Sequence, residues 1–111
     1  NAVAEKPGTA AAVLIRALEP LEGTAVMQRR RRKHGTKGLT NGPARLCQAL
    51  GIDKRLLGED FTRSKLITIE KYHRIPRRQI ASSTRIGISK SRELPWRFYI
   101  KNSSWVSERG R

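Results

Sequence analysis

The sequence predicts a mixed α/β fold of the α+β class: one domain over residues 1–111, with a curved, largely antiparallel sheet, short flanking helices and an incomplete N-terminal edge. Three stretches carry that expectation. Ala10 to Pro20 is the longest apolar run, with Arg16 as the one cation inside it. Pro43, Leu46, Cys47 and Leu50 recur at i, i+3, i+4 and i+7, the period of a helix with one apolar stripe. Trp96-Arg97-Phe98-Tyr99-Ile100 alternates with the period of a strand.

Composition narrows the class of partner. The 111 residues carry 24 Lys and Arg against nine Asp and Glu, a net charge of +15, with 37% hydrophobic residues for a thin core. Such an excess points to a polyanion, either nucleic acid or an anionic membrane surface. No apolar run approaches the roughly 18 residues of a membrane span, and none has the pattern of an amphipathic anchor. Cys47 is the one cysteine, which excludes an internal disulfide and a cysteine-rich metal site and suggests a reducing compartment.

In chain order, an opening strand near Ala2 to Ala4 is expected to return through the turn Lys6-Pro7-Gly8-Thr9 into the long apolar run. There Val13, Ile15 and Ala17 would face one side of a strand, with Leu14, Arg16 and Leu18 on the other. A strand apolar on both faces belongs in the middle of a sheet. A buried guanidinium there must meet a carboxylate, Glu19 and Glu22 being the nearest, or look into a wet pocket. The chain begins at Asn1 and enters this strand almost at once, so it reads as a fragment with few residues to supply neighbouring strands.

Pro20 and Gly23 should end the strand. Thr24 is the expected N-cap of a short helix over Ala25 to about Lys33, stopped by Gly35. Its last turns hold Arg29 to Lys33, five consecutive cations that suit the negative end of a helix dipole. They form either a solvated face or a phosphate contact. His34 lacks ligand spacing and is expected at the surface. Pro43 fits the first position of the second helix and Gly51 its C-terminal cap. Cys47 lies on the stripe as a core residue, and Arg45 lies off it near the helix start, where backbone amides favour a phosphate.

The second half is less regular. Asp53 to Arg63 is turn-like, Lys65 to Lys71 reads as a strand, and Tyr72 to Arg78 is basic and broken by Pro76. Ile80 to Ser89 is extended, and Gly87 within it suggests close approach by a ligand or another backbone. Trp96, Phe98 and Ile100 are expected to face the core. Ser107 to Arg111 is expected to fray. No phosphate-binding glycine loop, metal-ligand cluster or Ser/His/Asp arrangement is present, so residue chemistry alone stops at a basic domain that binds nucleic acid.

Three blocks take the reading further. Val13-Leu14-Ile15-Arg16-Ala17-Leu18-Glu19-Pro20, Asn41-Gly42-Pro43-Ala44-Arg45-Leu46-Cys47-Gln48-Ala49-Leu50, and Arg85-Ile86-Gly87-Ile88 followed by Pro95-Trp96-Arg97-Phe98-Tyr99 together resemble the alkyladenine (3-methyladenine) DNA glycosylase family. Ser104-Trp105-Val106-Ser107 resembles its closing motif. The resemblance covers the C-terminal portion of that family's domain. It implies a monofunctional base-excision-repair hydrolase without cofactor or metal. Such an enzyme flips alkylated, deaminated or etheno-modified purines out of double-stranded DNA and cleaves the glycosidic bond. By the same resemblance, Arg16 and the backbone carbonyl of Ile86 position the attacking water, Asn1 lines the base pocket and disfavours guanine, and Arg45 and Lys54 contact phosphates. The Arg29–Lys33 run and the Tyr72–Arg78 segment receive no role from it.

The family's catalytic glutamate, its base-sandwiching aromatics and its tyrosine wedge would lie ahead of Asn1. The chain alone is therefore expected to be inactive and poorly folded, with an exposed sheet edge. At full length a monomer is expected, without membrane association. Its location would be the cytoplasm and nucleoid of a bacterium or the nucleus of a eukaryote. The competing reading is a non-catalytic basic module that binds DNA or RNA, which charge and size suit equally well.

Overall fold

The structure, a computed structural model, describes residues 1–107, so most of the tail expected to fray lies outside the described residues. It is of the α+β class, with two helices and two small antiparallel sheets. The chain divides into two compact units, Asn1–Gly51 and Ile52–Arg111.

The first unit opens with the expected hairpin. Strand β1 (Ala2–Ala4) pairs antiparallel with β2 (Ala11–Val13), Ala2 opposite Val13 and Ala4 opposite Ala11. Its turn is closed by the Thr9 N–H donating to the Lys6 carbonyl at 3.1 Å, with Gly8 at φ +92°, a value glycine adopts without steric cost. The strand is shorter than the apolar run predicts. It stops at Val13, and residues 14–21 lie in no ladder. Among the described residues the strand's one sheet neighbour is the three-residue β1, the backbone beyond Val13 pairs with no strand, and Arg16 is not in a central strand.

Helix α1 (Thr24–Arg31) starts from Gly23 at φ +72°, not from a Thr24 cap, and reverses at Arg32 (φ +53°), before Gly35 is reached. It has no buried residue. Met27 is only half-buried and Val26 is exposed, so apolar burial, which supplies most helix stability in proteins, contributes little here. Helix α2 (Pro43–Leu50) has the predicted ends, opened by Pro43 and closed by Gly51 at φ +69°. Of the predicted stripe Leu46 is buried and Pro43, Cys47 and Leu50 are half-buried, and Ala49, off that stripe, is buried as well. Cys47 is half-buried on the stripe.

Arginines join the two helices. Arg31 donates from Nε to the Leu39 carbonyl (3.1 Å), from Nη2 to the Gly38 carbonyl (2.9 Å) and from Nη1 to Gln48 Oε1 (3.1 Å). Arg30 Nη1 donates to the Ala49 carbonyl (3.1 Å), and Gln48 Nε2 donates back to the Arg30 carbonyl (3.2 Å). Beneath them lies a core of Leu39, Thr40, Leu46 and Ala49. Thr40 is tied in both directions to Leu18: its hydroxyl donates to the Leu18 carbonyl (2.5 Å), and its carbonyl accepts the Leu18 N–H (3.2 Å).

The second unit is rich in turns. A 3-10 turn, Lys54–Leu56, is capped by Asp53, whose Oδ1 accepts the Arg55 N–H at 2.9 Å. Lys65 to Lys71 forms no strand. Ser64 Oγ accepts the N–H groups of Leu66 (3.0 Å) and Ile67 (3.3 Å), a local alternative to a ladder. After a 3-10 turn at Arg77–Gln79, strand β3 (Ile80–Ser83) pairs antiparallel with β4 (Arg97–Ile100), Ile80 opposite Ile100 and Ser83 opposite Arg97. The alternation in β4 is as predicted, but the covered face is the other one. Phe98 is 69% exposed and Trp96 57%, whereas Arg97 is buried, its guanidinium 4.6 Å from the Tyr99 ring centre and its Nη1 donating to Ser83 Oγ (3.2 Å). No described element covers the Trp96–Phe98–Ile100 face.

Two substitutions measure what holds the first unit. Arg31→Met should destabilise it by about 1.5–3 kcal/mol, the range for charge-assisted hydrogen bonds lost at part-buried carbonyls. Thr40→Val, which keeps the shape and removes one donor, should cost about 1 kcal/mol. Urea midpoints of the full-length protein check both.

Candidate functional site

The first unit carries Asn1, Arg16 and Arg45. Arg16 sits half-buried in the irregular stretch after β2. The anticipated ion pair does not form: among the described residues Arg16 meets no carboxylate. Glu19 and Glu22, the nearest acids in sequence, are both exposed, whereas Arg16 is half-buried. Asn1 is exposed and precedes Ala2, the partner of Val13, so the hairpin register places it at the end of β2 that leads on to Arg16. The Thr40–Leu18 bonds fix the far end of the same stretch.

Arg45 is the third residue of α2. Its side chain folds back toward the helix start, as helical side chains do, and Nη1 donates to Asn41 Oδ1 at 2.8 Å. No side chain caps this N-terminus, which leaves its backbone donors and positive dipole end available to an anion.

The second unit carries Lys54 and Ile86. Lys54 opens the 3-10 turn and is exposed. The neighbouring Asp53 does not neutralise it, because its carboxylate takes Arg55 two-pronged: Nη2 lies 2.8 Å from Oδ2 and Nε 3.0 Å from Oδ1. These side-chain bonds, and then the Arg55 N–H, hold the Asp53 carboxyl below its ordinary range. Ile86 lies in a turn after β3. Gly87 beside it has φ +71° and no protein atom within 4 Å of where a Cβ would project, so the glycine serves the turn and no other backbone approaches it among the described residues. Arg85 anchors that turn, its guanidinium 5.2 Å from the Trp96 ring centre and Nη2 donating to the Lys90 carbonyl at 2.9 Å.

Sequence reasoning named Arg30 and Arg31 only as members of the Arg29–Lys33 run and Arg85 only within a resemblance block, and gave none of them its structural role. Each acts through carbonyls or a ring brought to it by the fold, and no spacing in the sequence announces that. Among the described residues no three His, Cys, Asp or Glu side chains gather as metal ligands, and no helix is long and apolar enough to cross a membrane.

Comparison with known proteins gives this arrangement a context. The model of the methylpurine-DNA glycosylase family matches residues 1–104. A protein of Chlorobium luteolum provisionally named 3-methyladenine DNA glycosylase is 45% identical over 108 residues, covering 97% of this chain and 55% of its own length. Proteins given the same provisional name in Carboxydothermus hydrogenoformans (42% identity; 98% of this chain and 57% of the relative) and Chlorobaculum parvum (46%; 96% and 51%) align similarly. The chain thus spans about half the length of the curated relatives it matches.

The Asp53 cap has a pH signature. A carboxyl whose pKa is lowered in the fold contributes stability above its unfolded value, about 3.9, and loses that contribution as pH falls through the folded value. The Arg55 Nε–H resonance should hold its bonded position down through that window and move only below it. In Asp53→Asn it should show no such transition.

Proposed function

As this chain belongs to the methylpurine-DNA glycosylase family, we propose that it is the part of a monofunctional DNA-repair hydrolase that grips the duplex and helps position the attacking water. The match of the family across residues 1–104 carries this reading, and the net charge of +15 agrees with a polyanionic partner. The substrates proposed are alkylated or deaminated purines, such as 3-methyladenine, hypoxanthine and ethenoadenine, in double-stranded DNA.

The reaction suits the residues. Extruding a nucleotide costs stacking and pairing energy, which contacts to the flanking phosphates offset; Arg45 and Lys54 are assigned to those contacts. Cleavage of the glycosidic bond develops positive charge on the sugar, so a water must be held against C1′ and relieved of a proton as it attacks. In this reading Arg16 and the Ile86 carbonyl hold that water, and a glutamate supplied by the remainder of the protein accepts the proton. Paired with that carboxylate, the Arg16 guanidinium adds little net charge beside the cationic sugar. Asn1 lines the base pocket and crowds the exocyclic amino group of guanine. The 111 residues alone are proposed to release no base.

The test is base release by the full-length protein from a duplex with one hypoxanthine or ethenoadenine, abasic sites being revealed by alkali. Arg16→Ala should lower release at least about a hundredfold, the scale of losing one oriented group in a reaction centre, while DNA affinity is largely kept. A parent protein that binds DNA in a salt-sensitive manner yet releases no base would favour a non-catalytic binding module. Arg45→Gln and Lys54→Gln should each lower the slope of log K against log salt by about 0.9.

A further inference from the structure

The five consecutive cations divide by what they touch. Arg30 and Arg31 are committed to carbonyls and to Gln48 inside the first unit. Arg29, Arg32 and Lys33 meet no carboxylate among the described residues; with Gln28 and His34 they line a recess of about 410 Å³ that contains no acid.

Lys33 also reaches the loop ahead of α2. A Cβ placed on Gly38 would find Lys33 Nζ at 3.8 Å, Arg45 Nη1 at 3.9 Å and Asn41 Oδ1 at 3.8 Å. An ammonium from the turn after α1 and a guanidinium from α2 thus both lie close to one glycine, with the Asn41 amide oxygen beside them. Gly38 has φ +72°, which favours glycine, and its missing side chain leaves the space open. The uncapped start of α2 belongs to the same surface and adds partial positive charge. Like charges gathered without a carboxylate repel one another, and an anion placed among them reverses the sign.

A helix-end explanation covers less. The dipole of α1 accounts for cations in its last turn, but Lys33 lies beyond the reversal at Arg32. The Lys33 N–H donates back to the Gln28 carbonyl at 3.0 Å, so the helix end accounts for its backbone, while its ammonium reaches the space over Gly38.

We propose that Lys33 and Arg45 together hold one DNA backbone phosphate over Gly38, and that the Arg29–Arg32–His34 recess takes the neighbouring phosphate. The proposal rests on the DNA-binding reading above and extends the duplex contact to a run that the family resemblance leaves without a role.

The test is anisotropy titration of fluorescent duplex DNA with full-length protein over a salt series, with base release measured in parallel. Lys33→Gln should lower the salt slope by up to about 0.9, and most of its effect on affinity should vanish in an Arg45→Gln background, where the shared phosphate is already lost. Arg29→Gln with Arg32→Gln should lower the slope by about another 0.9. The urea midpoint of Lys33→Gln should match that of the parent. Lys6→Gln, on the hairpin turn, serves as a control for net charge alone. If Lys33→Gln behaves like Lys6→Gln while Arg45→Gln lowers the slope, the shared phosphate site is wrong and the glycosylase reading stands. A parent protein with neither base release nor salt-dependent binding would overturn both.

Discussion

The geometry of the first unit depends on one guanidinium. Arg31 collects the Leu39 and Gly38 carbonyls and Gln48, and so joins α1, the loop ahead of α2, and α2 itself. Helix α1 has no fully buried residue, so this polar contact adds to the partial cover of Met27 much of what an apolar stripe supplies elsewhere. Its reach extends further through Leu39 and Thr40, since Thr40 holds Leu18 at the end of the stretch that carries Arg16. The residue proposed to position water and the residue proposed to grip phosphate are thus referred to one internal frame. Planar multidentate donation is what arginine supplies and lysine does not, so a lysine at this position would keep the charge and lose the fork.

Much of the fold was legible in the sequence where local chemistry decides it. Pro43 and Gly51 bracket α2 because each has the backbone preference its position needs, and the Lys6–Thr9 turn makes its hairpin for the same reason. Legibility fails where a partner decides. The apolar run around Arg16 has the composition of a central strand, but strand length is set by the neighbours available, and β1 offers three residues. In β4 the pattern gives which residues share a face, not which face is covered; Arg97 lies on the covered one because Ser83 and the Tyr99 ring receive it.

The candidate site divides in the same way. Arg45 could be singled out from its place at a helix start. Ile86 could not be found from residue chemistry, because a backbone carbonyl leaves no side-chain signature, and only the family resemblance points to it. Lys33 was hidden inside a run whose members look alike. The left-handed turn at Arg32 separates it from Arg30 and Arg31, and a charged side chain gives no hint of such a turn. Among the described residues, identical neighbours therefore have opposite assignments, some facing protein carbonyls and others an open recess.

The open faces of the two hairpins bear on how the molecule behaves in solution. Val3 and Val13, on opposite faces of the first hairpin, and Trp96 and Phe98 on the second stand in water, each beside a short strand whose edge is unpaired among the described residues. Edges of this kind are templates for pairing with another chain. What keeps copies apart is mutual repulsion from a charge of +15, and its range shrinks to roughly 10 Å at 0.1 M salt. Raising the salt weakens that barrier and leaves the apolar strands as they were, and a bound polyanion does the same by neutralisation. Colloidal stability and affinity for a polyanion thus draw on the same cations: as counterions release the partner, they also let the strand edges of separate copies meet.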